Sequence, residues 1–195
     1  MDELIGNQSN FTVRRKFWQF LGATVFVEQP DGAPIMQAKL KAFRLKEDVR
    51  FYQDENRTVE LLRISARQMI DFGATYDVFD SVNNQKLGAI RRKGFKSMLR
   101  DEWHILDLED QTVAVLQEDS VSLALLRRFI TNLIPQKFSL TSSNGQTELG
   151  FAQQNFNPFT VVLKIETKPE LKQIIDPRLA LTVFTLLAAV EGRQG

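Results

Sequence analysis

Residues Leu179–Val190 read LALTVFTLLAAV, and what this stretch can pack against decides the architecture. Asp176 precedes it as a cap, Pro177 suits the first helical position and Gly192 follows as a stop, so a helix is predicted. Only Thr182 and Thr185 break the apolar run, and a threonine hydroxyl in a helix can return its hydrogen bond to the preceding turn. The run is too short for a bilayer span, which needs about 20 residues. Asp176, Arg178, Glu191 and Arg193 prevent its extension at either end. The competing reading is a membrane anchor. A helix that is apolar on every side otherwise has to be enclosed by protein.

Working outward, the chain before this helix alternates like a sheet. Strands are predicted near residues 11–20, 23–28, 35–44, 48–53, 58–67, 71–80, 86–93, 102–107, 112–118, 136–142, 147–153 and 160–166. Between Asp119 and Ile134 the period changes. Val121, Leu125, Phe129 and Leu133 fall at helical spacing, predicting one amphipathic helix with Ser120 or Asp119 as its cap. An antiparallel sheet must hide one face and the terminal helix must hide all of its own. Closing the sheet into a barrel around the helix satisfies both and removes exposed edges. The expected fold is mainly β (α+β): a closed antiparallel barrel of about twelve strands enclosing a hydrophobic C-terminal helix, with one further amphipathic helix.

Internal similarity supports a repeated hairpin. At an offset of 62, Tyr76, Val78, Leu87 and Gly88 match Phe138, Leu140, Leu149 and Gly150. At an offset of 51, Val25, Val27, Met36 and Ala38 match Tyr76, Val78, Leu87 and Ala89. Turn residues punctuate each copy: Gln29–Gly32, Val82–Asn84 and Ser142–Gly145. Phe43 and Phe95 lie 52 apart, and Thr58-Val59 precede Thr112-Val113 by 54. The chain reads as a duplicated meander with a third partial copy.

Composition bounds the chemistry. Lys and Arg number 25 against 24 Asp and Glu, too balanced to announce a nucleic-acid binder. With no cysteine there is no disulfide, thiol nucleophile or Cys-ligated zinc, and with one histidine, His104, there is no His-pair metal site. The N-terminal MDELIGNQSN lacks the basic and apolar regions of a secretory signal, so a cytoplasmic address is expected. No G-x-G-x-x-G, phosphate-binding loop or H-E-x-x-H occurs.

The segments Tyr76–Asp80 (YDVFD), Lys86–Lys93 (KLGAIRRK) and Lys96–Trp103 (KSMLRDEW), followed by the apolar terminal helix, carry a family likeness. In order and spacing they resemble the LURP-one-related proteins and their bacterial relatives, grouped with phospholipid scramblases and the tubby C-terminal domain. The likeness spans about residues 11–190. It implies a twelve-stranded barrel around a central C-terminal helix. It also implies contact with lipid, since tubby domains bind phosphoinositide headgroups and scramblases move lipids under calcium. The segment that scramblases use for calcium corresponds here to Lys168–Asp176, where only Glu170 and Asp176 are acidic. Calcium takes six to eight oxygens, so neither metal nor cofactor is expected. The cysteine cluster and proline-rich arm of scramblases are missing as well.

The densest basic stretch is Arg91, Arg92, Lys93, Lys96 and Arg100, taken as the candidate ligand-binding residues for an anionic headgroup. Asp101 and Glu102 weaken its field, and the plainer alternative is a solvated outward face with arginine stems lying on the barrel wall. Arg14, Arg15 and Lys16 beside Phe17, Trp18 and Phe20 suit a membrane interface, or simply a first strand with alternate residues turned inward. Among carboxylates, Asp107–Asp110 reads as a hairpin turn, and Glu118 and Asp119 show no sign of a facing pair. His104 reads as a satisfied structural or surface histidine. Residues 1–10 are expected as a flexible tail and 11–195 as one tubby-like barrel domain. The function expected is a non-enzymatic module that binds anionic phospholipid or phosphoinositide headgroups, cytoplasmic and peripheral at the membrane. The alternatives are a protein-interaction or scaffold module with a protein partner and, further off, a phospholipid scramblase.

Overall fold

The computed structural model describes residues 9–16, 22–41, 48–67, 74–93, 102–119, 136–155 and 160–191. Twelve strands form one closed antiparallel barrel. They are β1 (Asn10–Lys16), β2 (Gly22–Glu28), β3 (Pro34–Lys41), β4 (Val49–Tyr52), β5 (Glu60–Ala66) and β6 (Thr75–Asp80) in the first half. The second half is β7 (Gln85–Arg92), β8 (Glu102–Leu106), β9 (Thr112–Glu118), β10 (Lys137–Ser142), β11 (Glu148–Gln154) and β12 (Thr160–Thr167). Every strand pairs with the next, and β12 returns to β1, with Val13 opposite Leu163. Two helices follow, α1 (Leu171–Ile174) and α2 (Pro177–Glu191). The barrel and its enclosed helix are as the sequence leads one to expect. α1 is not foreseen, β1 begins at Asn10 rather than Phe11, and the helix predicted over 119–134 lies outside the described residues.

The alternation of the strands explains the enclosure. Val13, Val25, Val27, Val78, Ile105, Leu116, Leu140 and Leu163 face inward with no exposure. They meet α2, whose residues from Leu179 to Ala189 are all buried. Thr182 and Thr185 are buried too, and each hydroxyl donates back to a carbonyl one turn earlier, that of Arg178 at 2.7 Å and of Leu181 at 2.8 Å. A single helix is about 10–12 Å across, narrower than a twelve-strand barrel. It lies against β1, β2 and β12 and, on another side, against β7 and β8. On the strands between, Met36, Phe51, Leu62 and Phe138 fill the remaining width.

The mouth where α2 enters is held by ions. The Asp176 carboxylate caps the helix by accepting from the Arg178 N–H at 2.8 Å. Arg178 then bridges Asp176 and Asp80, with Nη2 and Nη1 each 2.7 Å from a carboxylate oxygen. Asp80, 3% exposed at the end of β6, also accepts the N–H groups of Val82 and Asn83. One carboxylate therefore ties the β6–β7 turn to the start of the helix.

The repeat proves to be one hairpin long. In five successive hairpins the register slips near the turn, so that two residues of the second strand oppose one of the first, as in a β-bulge. The extra residues are Ile35, Leu61, Leu87, Val113 and Leu149, the first four spaced by 26 positions. Each turn between such strands also holds one residue at positive φ: Gly32, Arg57, Asn84, Asp110 and Gly145. The offsets near 52 in the sequence are thus two hairpins, and the match of Met36 and Ala38 to Leu87 and Ala89 at 51 is one residue out, since Ile35 is the counterpart of Leu87. Thr58-Val59 is a false match to Thr112-Val113: Val59 sits in a turn and is 43% exposed, and the counterpart of Val113 is Leu61. Phe43 and Phe95 lie outside the described residues.

Two predictions follow from this packing. A Cβ on Gly88 would lie 2.4 Å from the Leu106 carbonyl oxygen and 2.9 Å from Leu179 Cδ1 of α2, at a φ of +151°. Gly88→Ala is expected to lower the urea midpoint by about 2–3 kcal/mol of stability. Burial alone would raise the Asp80 pKa. The N–H groups of Val82 and Asn83, the Asn83 amide and the Arg178 charge together hold it below its ordinary 3.8. A carboxyl depressed by folding stabilises above its unfolded pKa, and that contribution disappears as pH falls through the folded value. The wild type should lose stability below about pH 4. Asp80→Asn should cost about 3 kcal/mol at pH 7 and show a flatter acid limb in denaturation measured across pH.

Candidate functional site

β7 carries the basic stretch to the end of the barrel opposite the hairpin turns, and its alternation divides it. Arg91 pairs with His104 and faces out, donating from Nε to Thr75 Oγ1 at 3.3 Å. Arg92 pairs with Trp103 and faces in; its guanidinium lies 5.3 Å from the centre of that ring, which has no exposure. Lys93 faces out again, with Nζ 2.7 Å from Glu102 Oε1. The expected patch is therefore not one surface. Lys96 and Arg100 lie outside the described residues.

Apart from Arg91, the outward cations around this stretch meet counter-charges. Glu102 takes Lys93 and His104 Nε2 (2.6 Å) on one oxygen and the Gln117 amide (2.7 Å) on the other. Burial pushes its carboxyl up, but the hydrogen bonds from Lys93 and His104 outweigh that and hold it below the usual carboxylate range. Beside it, Arg67 bridges Asp77 and Asp110 at 2.7 Å each, and Lys86 reaches Asp77 at 2.9 Å. Arg67 and Asp110 are 43 residues apart, which is why the sequence shows a basic stretch and not a neutralised wall. His104 Nδ1 lies 3.2 Å from Thr112 Oγ1, so carboxylate, imidazole and hydroxyl stand in the order that nucleophilic catalysis uses. Here the carboxylate is shared with Lys93 and Gln117, on the convex outer face of β8 and β9. The group braces two strands.

β1 shows the same division. Val13 and Arg15 share the inward side, Arg15 opposite Val25 and Val161. Arg14 and Lys16 face out, flanking the Phe26 ring with their charges 4.9 and 5.1 Å from its centre. Arg14 is ion-paired with Glu28, its Nε donating at 3.2 Å. Phe17, Trp18 and Phe20 lie outside the described residues.

The carboxylate candidates resolve into structural roles. Asp107 closes its turn by accepting the N–H groups of Glu109 at 3.0 Å and Gln111 at 2.8 Å, as expected of a turn aspartate. Glu118 is buried opposite Phe138, and Asp119 lies 3.9 Å from Lys137. Among the described residues, no cluster of His, Asp and Glu could hold a metal ion. A crevice lined by Phe11, Ile165, Lys168, Leu171 and Phe184 separates α1 from the barrel and leaves room for about one water molecule.

These orientations separate structure from surface. Arg92→Gln should lower stability by about 1–2 kcal/mol, since it removes a cation from a buried ring. Arg91→Gln should change it by less than about 0.5 kcal/mol. Chemical denaturation of the two single variants checks the contrast.

No protein-family model matches the chain, and no curated protein or solved structure matches it either.

Proposed function

We propose that this chain is a non-enzymatic binding module that takes anionic phospholipid headgroups on the outside of its barrel, peripherally at a membrane surface. The observation that carries this reading is the filled lumen. With α2 and the inward side chains occupying the interior, a ligand has to be met on the wall or the rim. The wall offers cations to meet it, Lys16, Lys39 and Lys164 among the exposed residues. Roughly 1 kcal/mol accrues for each lysine or arginine brought close to an acidic bilayer. The resemblance to tubby and LURP-one-related domains points the same way. Scrambling fits less well, because it would need α2 to leave the barrel, exposing Val183, Phe184 and Leu187. Among the described residues no helix is long and apolar enough to cross a membrane.

A second reading, a protein-interaction module, is favoured by one feature. Val82 and Leu108, 66% and 58% exposed, stand on neighbouring hairpin turns.

Co-sedimentation with phospholipid vesicles separates the two. The headgroup reading expects pelleting with vesicles containing phosphatidylserine or phosphatidylinositol phosphates, none with phosphatidylcholine alone, and release at about 0.5 M salt. Absence of binding to every acidic vesicle would leave the protein-interaction module as the working model.

A further inference from the structure

Resting on the headgroup reading, we infer that the surface meeting the anionic bilayer is the outer wall of β12, β1, β2 and β3, and not the β7–β8 stretch that the sequence singles out. The two walls carry similar side chains but differ in compensation. On the β5–β9 side, Arg67, Lys86 and Lys93 each lie within ion-pair distance of Asp77, Asp110 or Glu102, while Arg63 and Arg91, only partly exposed, lie against the Phe79 ring and the Thr75 hydroxyl. On β12 to β3, Lys16, Lys39 and Lys164 are exposed and, among the described residues, make no ion pair.

Barrel closure puts these three on one outer wall from distant parts of the chain. Lys16 on β1 and Lys39 on β3 both stand opposite Thr24 of β2, two strand spacings apart, or roughly 9–10 Å. Lys164 is on the same wall across the β1–β12 seam, opposite Thr12, four residues along β1 from Lys16 and so roughly 13 Å nearer the hairpin turns. Phe26 lies on the same outer face, one outward position along from Thr24, with the Lys16 ammonium over its ring. The result is a basic wall with an aromatic at its centre.

Polarity along the barrel axis favours a planar partner. Lys16 and Lys39 lie towards the end where β1 finishes and β2 begins. The hairpin turns of the opposite end carry Asp31, Asp54, Glu55, Asp107, Glu109 and Asp110 against Arg57. Strands of seven or eight residues are roughly 23–27 Å long, or about 16–22 Å along the axis at the usual tilt of barrel strands, beyond the about 8 Å reach of a surface field at physiological salt. A bilayer laid on this wall from the Lys16–Lys39 end attracts its cations, with the acidic turns at the far end.

The test compares two triple variants of equal charge change with the wild type. The first is Lys16→Gln, Lys39→Gln, Lys164→Gln; the second is Lys86→Gln, Arg91→Gln, Lys93→Gln. Each is titrated with vesicles of phosphatidylcholine containing phosphatidylserine at low salt, with circular dichroism to confirm folding. Each lysine near the surface is worth roughly fivefold in partitioning, so the first variant should bind about a hundredfold more weakly and the second close to wild type. Equal losses, or a loss confined to the second variant, would overturn the assignment of this wall while leaving the headgroup reading intact. Wild-type protein that ignores acidic vesicles overturns both. An RNA or DNA oligonucleotide bound in preference to vesicles would reassign the wall to a nucleic-acid partner.

Discussion

A helix with no polar face has nothing to offer water, and the rest of this structure follows from that constraint. Between Leu179 and Ala189 every side chain is buried, so the sheet has to surround the helix rather than lie under it. Closure through β1 and β12 in turn gives each of the twelve described strands a neighbour on both sides. The wide ring then needs bulky fillers where the helix stands back and a glycine where it comes close. Phe51, Leu62 and Phe138 play the first part, and Gly88 against Leu179 plays the second. Asp80, Arg178 and Asp176 fix where the helix enters, at the end where it carries Arg178.

The wall is assembled from one device used repeatedly. A hairpin with a positive-φ turn residue and a bulged apolar residue recurs at a 26-residue spacing, and the interval lengthens only between Val113 and Leu149. A bulge increases local twist and bends its strand, and a ring of bulges at one level helps a sheet to close. The bulged residues, Ile35, Leu61 and Leu149 among them, are themselves buried, so they cap the core beneath the turns.

Filling the interior transfers recognition to the exterior, and there the distribution of partners matters more than the number of cations. The β5–β9 wall is dense in arginine and lysine, but its Arg67, Lys86 and Lys93 are held by Asp77, Glu102 and Asp110, and Arg63 and Arg91 are only partly exposed. Cations held by nearby carboxylates bring little net charge to a ligand. The wall of β12, β1, β2 and β3 has fewer charged groups, but three of its lysines stand without a carboxylate partner among the described residues.

The sequence by itself determined what is local or periodic. The alternation of β1 to β12, the apolar helix with its Asp176 cap and threonine back-bonds, and the Asp107 turn are all legible because each depends on neighbours within a few residues. Tertiary structure alone decided the rest. The hairpin repeat was blurred at the residue level, because the turn between β4 and β5 is two residues longer than that between β8 and β9 and made Thr58-Val59 look equivalent to Thr112-Val113. The basic stretch on β7 was visible as letters, but side chains one residue apart point to opposite faces, and Arg92 turned inward to Trp103. Lys16, Lys39 and Lys164 could not be read as a group, because only closure of the barrel carries β12 to the side of β1.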